Sequence, residues 1–188
     1  MGKFFIIHGT HGSPEGNWFP WLKAELSNKG HAVVVPEMPT PENQSLENWF
    51  QAFESQAGDI REDDIIIGHS AGAILLLRIL EKRSSPIRCA VFVCGFTSTL
   101  GIPEYDKLNL SFIDKDFDWE QIRANAERII CIHGDNDPYV PLSQSLDLAS
   151  NLKVLPISIK GGGHLNSESG YTEFPLLLDL IKKIENPL

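Results

Sequence analysis

The sequence is poor in cations. Of 188 residues, 16 are Lys or Arg against 25 Asp or Glu, and the formal net charge is -9. Nucleic acids and anionic membrane surfaces are held by clustered Lys and Arg, so neither is expected as a partner. Long apolar runs are missing too. None approaches the ~20 residues that span a bilayer. Phe4-Phe5-Ile6-Ile7 is too short for the apolar segment of a signal peptide and reads as a strand. Gly2 follows Met1, but a myristoylation site wants Ser or Thr where Ile6 stands.

Cysteine is scarce, with only Cys89, Cys94 and Cys131. Cys89 and Cys94 fall in one expected strand, where five residues span about 16 Å, beyond disulfide reach. All three lie in apolar runs and are expected as buried thiols in a reducing cytoplasm. The chain also lacks His-x-x-x-His, Cys-x-x-Cys and carboxylates clustered at ligand spacing, so no metal is expected. No Gly-x-Gly-x-x-Gly follows the first strand, which argues against a dinucleotide. No cofactor is expected.

What is present describes an alternating α/β chain. Hydrophobic residues make up 42%, enough for a well-buried core, and residues 1–188 read as one domain without repeats or linkers. Six apolar segments are expected as strands: Phe4–His8, Ala32–Pro36, Asp64–Gly68, Cys89–Cys94, Ile129–His133 and Leu152–Ile159. The first five are continuously apolar, as parallel strands covered on both faces are. Pro156 interrupts the sixth and assigns it to a sheet edge. Helices are expected at Phe19–Asn28, Ser45–Gln56, Ala71–Lys82, Trp119–Asn125, Leu142–Ser150 and Tyr171–Ile184, with Ser45 as a cap. Alternation of this kind predicts a three-layer α/β/α sandwich of about six mostly parallel strands, with right-handed crossovers. Phe96–Asp118 shows no clear period and reads as an irregular flap, too short for a lid domain.

One pentapeptide carries most of the chemistry. Gly68-His69-Ser70-Ala71-Gly72 has the form Gly-x-Ser-x-Gly. It follows the apolar run Ile65-Ile66-Ile67 and precedes a strong helix former, Ala73–Leu80. Strand, sharp turn and helix are the context of a nucleophile elbow. The serine hydroxyl then projects at a helix N-terminus, where developing negative charge is favoured.

Serine is a weak nucleophile and needs a base, and the base needs a carboxylate to hold its tautomer. On this type of sheet the order is Ser, acid, His, with each group just past a strand. Asp137, in His133-Gly134-Asp135-Asn136-Asp137-Pro138, is the preferred acid, with Asp135 as competitor. His164, after Gly161-Gly162-Gly163, is the preferred base. His8, His11, His31, His69 and His133 have structural readings. Two backbone amides should stabilise an oxyanion, and Ala71 and Thr10 are nominated. Trp18, Phe96, Phe112 and Tyr139 are candidate site-lining residues, with core or loop packing as the simpler reading for each.

At this point the chain resembles a known family. Ser70 in its elbow, Asp137 in Gly-Asp-Asn-Asp-Pro-Tyr-Val-Pro and His164 in Gly-Gly-His-Leu-Asn look like the triad of α/β-hydrolases. The small size, Trp18-Phe19-Pro20-Trp21-Leu22, Val35-Pro36-Glu37-Met38-Pro39-Thr40-Pro41 with Trp49, and Asp118-Trp119-Glu120-Gln121-Ile122 are similar to the small serine hydrolases of the retinoblastoma-binding protein 9 type. The resemblance implies a compact core without a large lid and esterase-like or amidase-like action on small acyl substrates. A Leu-x-Cys-x-Glu retinoblastoma-binding motif is absent, so that partner does not carry over. A non-catalytic binding protein on the same fold and an acyltransferase are the competing expectations.

Overall fold

The computed structural model describes residues 2–185. The apolar segments form six strands: β1 Phe4–Ile7, β2 Val33–Val34, β3 Ile65–His69, β4 Cys89–Val93, β5 Ile129–Gly134 and β6 Ile157–Ile159. All pair in parallel, in the order β2-β1-β3-β4-β5-β6. Successive residues of a strand point to opposite faces. Phe4 and Ile6 of β1 therefore enter one apolar core, and Phe5 and Ile7 the other.

Helices cover both faces. Helix α1 (Phe19–Ser27) and the last helix, α7 (Pro175–Glu185), pack on the first face through Phe19, Leu22, Leu177 and Ile181. The opposite face carries α2 (Leu46–Ala57), α3 (Ala71–Lys82), α4 (Pro103–Ile113), α5 (Trp119–Ala124) and α6 (Leu142–Asn151). Helix α3 is buried from Ala71 to Leu80, because it lies between the sheet and its neighbouring helices. The result is the expected α/β/α sandwich, with no large lid among the described residues. No described helix is long and apolar enough to cross a membrane.

Strand β2 is cut from the expected Ala32–Pro36 to Val33–Val34, most other ends move by a residue, and three segments differ more. The segment Phe96–Asp118 is not irregular throughout: it contains α4. Pro103 starts that helix, where a proline lacks only an N–H that would have no intrahelical partner, and Glu104 and Asp106 in the first turn favour the dipole. The sixth strand begins at Ile157 rather than Leu152. Leu152 caps α6, and Lys153 leaves it with φ +58°. Helix α7 begins at Pro175, four residues later than expected. The edge assignment for β6 holds, since among the described residues it ends the strand order beside β5. Ser45 caps α2 as expected, accepting from the Asn48 amide at 3.2 Å.

Arg78 ties α4 to the body. It is 6% exposed, and its guanidinium donates to the carbonyls of Phe112 (3.0 Å), Lys115 (2.5 Å) and Asp116 (3.1 Å). It also pairs with Glu81 at 2.8 Å and lies 3.8 Å from the Phe117 ring centre. One buried cation thus satisfies three carbonyls where α4 ends.

The chain leaves β1 toward β2 on one side and later enters β3 on the other. The loops after β1 and β3 diverge at this switch, which opens a crevice at the carboxyl ends of the strands. His8-Gly9-Thr10 and Ser70 stand there.

Candidate active site

Ser70 sits between β3 and α3 with φ +55° and ψ -122°. A non-glycine residue pays steric strain there and keeps the conformation only when its surroundings enforce it. The Ser70 amide donates to the Val93 carbonyl at 2.9 Å, and the Ser70 carbonyl accepts from Ala73 at 2.9 Å. Close packing does the rest. A Cβ on Gly68 would lie 2.5 Å from the Gly72 carbonyl oxygen, and one on Gly72 would lie 2.3 Å from that of Ile7. Only glycine allows strand and helix to approach so closely at these two positions. Ala71 opens α3, so its amide belongs to the first turn, which has no intrahelical acceptors.

The other candidates come from loops at the same end of the sheet. Asp137 follows β5 and His164 follows β6. Asp137 Oδ2 lies 2.7 Å from His164 Nδ1. Asp137 Oδ1 accepts from the amides of Tyr139 (2.8 Å) and Val140 (3.0 Å). Burial pushes the Asp137 carboxyl up, but the His164 hydrogen bond and charge and these two amides outweigh it, and the net shift is downward. Asp135 is placed elsewhere: its exposed carboxylate accepts from the Gly161 amide at 2.7 Å. The fold therefore brings Asp137, and not Asp135, against His164.

Ser70 and His164 line one cleft of about 270 Å³. Thr10, Asn109, Tyr105 and Tyr139 line it as well. Tyr139 packs edge-on against His164, with ring centres 5.1 Å apart, and meets Tyr105 at 5.7 Å. Of the four aromatic residues proposed as lining, only Tyr139 does so. Trp18, Phe96 and Phe112 are core residues, each 1% exposed or less.

Three supporting residues escape a reading of the sequence. His69, inside the elbow, is 3% exposed, and its Nε2 lies 2.9 Å from the His164 carbonyl. Burial, and then the neighbouring His164 charge, push the His69 pKa down to about 3. The ring is therefore neutral, and its Nε2–H donates to that carbonyl. Trp18 donates its indole N–H to the Leu165 carbonyl at 2.9 Å, which pins the next residue of the same loop. His8 closes the loop after β1, with Nδ1 2.8 Å from the Gly9 carbonyl and Nε2 accepting from the Met38 amide at 3.0 Å. A buried histidine that ends a strand carries no signal that separates such a contact from ordinary packing.

His69, Cys94 and His164 bring ligand-type atoms within 4.8 Å of one another, a cluster that no sequence spacing announces. Two of its members are already engaged, His69 with the His164 carbonyl and His164 with Asp137. Burial, reinforced by the Asp137 charge, pushes the Cys94 thiol well up and keeps it protonated. Of the three, His69 is the one that holds the His164 loop backbone. All three cysteines are buried and free, and burial pushes Cys89 and Cys131 up to about 12.

A parallel sheet with a strained serine between β3 and a buried helix, and an Asp–His pair on later loops, defines the α/β-hydrolase class. A family profile described as serine hydrolase matches residues 4–183, and the chain belongs to that family. It is 30% identical to the Bacillus subtilis hydrolase YdeN over 181 residues, which cover 95% of this chain and 94% of that protein. It is 27% identical to the serine hydrolase RBBP9 of Rattus norvegicus, over 98% of this chain and 96% of the relative. The crystal structure of the B. subtilis ydeN product superposes with a TM-score of 0.90, at 28% identity and 98% coverage of both chains. Est1E from Butyrivibrio proteoclasticus shares the fold, with a TM-score of 0.72 at 17% identity over 97% of this chain and 90% of its own.

Proposed function

We propose that the protein is a metal-independent serine hydrolase that cleaves small acyl esters or amides through a Ser70–His164–Asp137 triad and an acyl-enzyme, working as one domain. The reading rests on the 2.7 Å contact between Asp137 and His164 Nδ1, in a cleft that Ser70 also lines. With Nδ1–H held by Asp137, the ring keeps Nε2 as its basic nitrogen. His164 Nε2 takes the Ser70 proton as Oγ adds to the acyl carbonyl. The amides of Thr10 and Ala71 stabilise the oxyanion. As the carbonyl re-forms, His164 returns the proton to the departing alcohol or amine. Water then adds to the acyl group with His164 again as base, and the acid and free Ser70 are released. Buried free thiols suit a reducing compartment, and we assign the enzyme to the cytoplasm.

The test is hydrolysis of a short-chain 4-nitrophenyl ester by wild type and Ser70→Ala. The expected loss in kcat is roughly four to six orders of magnitude with the fold intact. A variant that keeps a tenth of the wild-type rate overturns the assignment.

A further inference from the structure

Asn109, in the middle of α4, lines the cleft and is only 1% exposed. A chain of hydrogen bonds leads to its amide. The His11 amide donates to Thr40 Oγ1 at 2.8 Å, and the Thr40 hydroxyl donates to Gln44 Oε1 at 2.6 Å. Gln44 Nε2 in turn donates to Thr10 Oγ1 at 2.8 Å and to Asn109 Oδ1 at 3.0 Å. The Thr10 hydroxyl also donates to Asn109 Oδ1, at 3.1 Å. Asn109 Oδ1 is thus a double acceptor, because both of its partners arrive as donors. Its Nδ2 meets no protein acceptor among the described residues and is open to the cleft that Asn109 lines.

A donor held this firmly beside a cleft, and left without a protein partner, is built to meet a ligand oxygen. Its position selects which part of the ligand it meets. The leaving group must face His164, which protonates it. Asn109 belongs instead to the Thr10 side, bonded to the residue whose amide would receive the oxyanion.

We propose that Asn109 Nδ2 donates to an oxygen in the acyl group, next to the scissile carbonyl. The preferred substrates are then short oxygen-bearing acyl esters, such as alkoxyacyl or hydroxyacyl esters, rather than simple alkanoyl esters. The inference rests on the Ser70 acyl-enzyme reading above.

The test uses 4-nitrophenyl methoxyacetate and 4-nitrophenyl butyrate, whose acyl chains match except for an ether oxygen in place of one methylene. The ratio of their kcat/KM values is divided by the ratio of their hydroxide-catalysed rates, which removes the intrinsic activation by the ether. For wild type the corrected ratio should favour methoxyacetate by about 5- to 30-fold. Asn109→Asp keeps the acceptor for Thr10 and Gln44 but has no Nδ2, so the corrected ratio should fall to near one. Butyrate turnover absorbs any general damage from the new charge. A wild-type corrected ratio near one overturns the inference, as does a preference that survives in Asn109→Asp. Should that variant fail to fold, the wild-type ratio decides alone. If Ser70→Ala hydrolyses both esters as fast as wild type, the acyl-enzyme reading itself falls and this inference with it. A crippled Ser70→Ala beside an unbiased wild type overturns only the role of Asn109.

Discussion

Asp137 and His164 are 27 residues apart in the chain, yet Oδ2 of one lies 2.7 Å from Nδ1 of the other. The contact separates two acids that share one loop. Asp137→Asn keeps the shape but replaces a carboxylate with an amide that can present N–H to the ring and favour the wrong tautomer. The expected cost is about 10⁴-fold in kcat. Asp135→Asn retains the oxygen that accepts from Gly161 and should stay within about threefold of wild type. Steady-state kinetics of the two variants on one ester decide it, and the reverse order would make Asp135 the acid.

The buried His69 makes stability depend on pH. Its folded pKa is lowered to about 3, while an unfolded histidine titrates near 6.5. Between those values the unfolded chain binds a proton that the folded chain does not. Stability therefore rises with pH across that window and is lost on acidification. A full proton corresponds to roughly 1.4 kcal/mol per pH unit. His69→Gln can still donate to the His164 carbonyl but cannot titrate. Urea unfolding at intervals from pH 4.5 to 6 should give a flatter stability curve for the variant. His8 is also lowered by burial and adds the same slope to both proteins, so it cancels. Parallel curves would contradict a neutral His69 in the fold.

Arg78 carries the attachment of α4. Arg78→Met keeps most of the apolar stem but leaves the Phe112, Lys115 and Asp116 carbonyls without their donor. The expected cost is roughly 3 kcal/mol, a fall in Tm of about 6–12 °C at this chain length. Arg78→Lys lacks the planar fork and should recover less than half of it. Calorimetry on the three proteins checks this, and a Tm within about 2 °C of wild type for Arg78→Met would refute the clamp.

Much of this architecture is legible in the sequence because its signals are local. The run Phe4–Ile7 is apolar at every position because alternate residues enter two cores. Ser45 three residues before Asn48 announces a cap, and Gly68 and Gly72 announce a close strand–helix approach. Asp137 and His164 are legible through chain order and loop position. What stays hidden is carried by contacts between distant segments. Helix α4 buries only Asn109 and Phe112, so its apolar period is faint, and Pro103 reads as a breaker although it starts the helix. His69 meets its carbonyl partner 95 residues away, and Trp18 meets Leu165 across 147. No local pattern distinguishes these supports of the His164 loop from ordinary core side chains.

The most direct test of the account is the reaction of folded wild-type protein with a fluorophosphonate, followed by intact mass and peptide mapping. The account predicts one adduct per chain, on Ser70, absent from Ser70→Ala and formed far more slowly by Asp137→Asn. An unmodified folded protein, or an adduct that persists in Ser70→Ala, would contradict it.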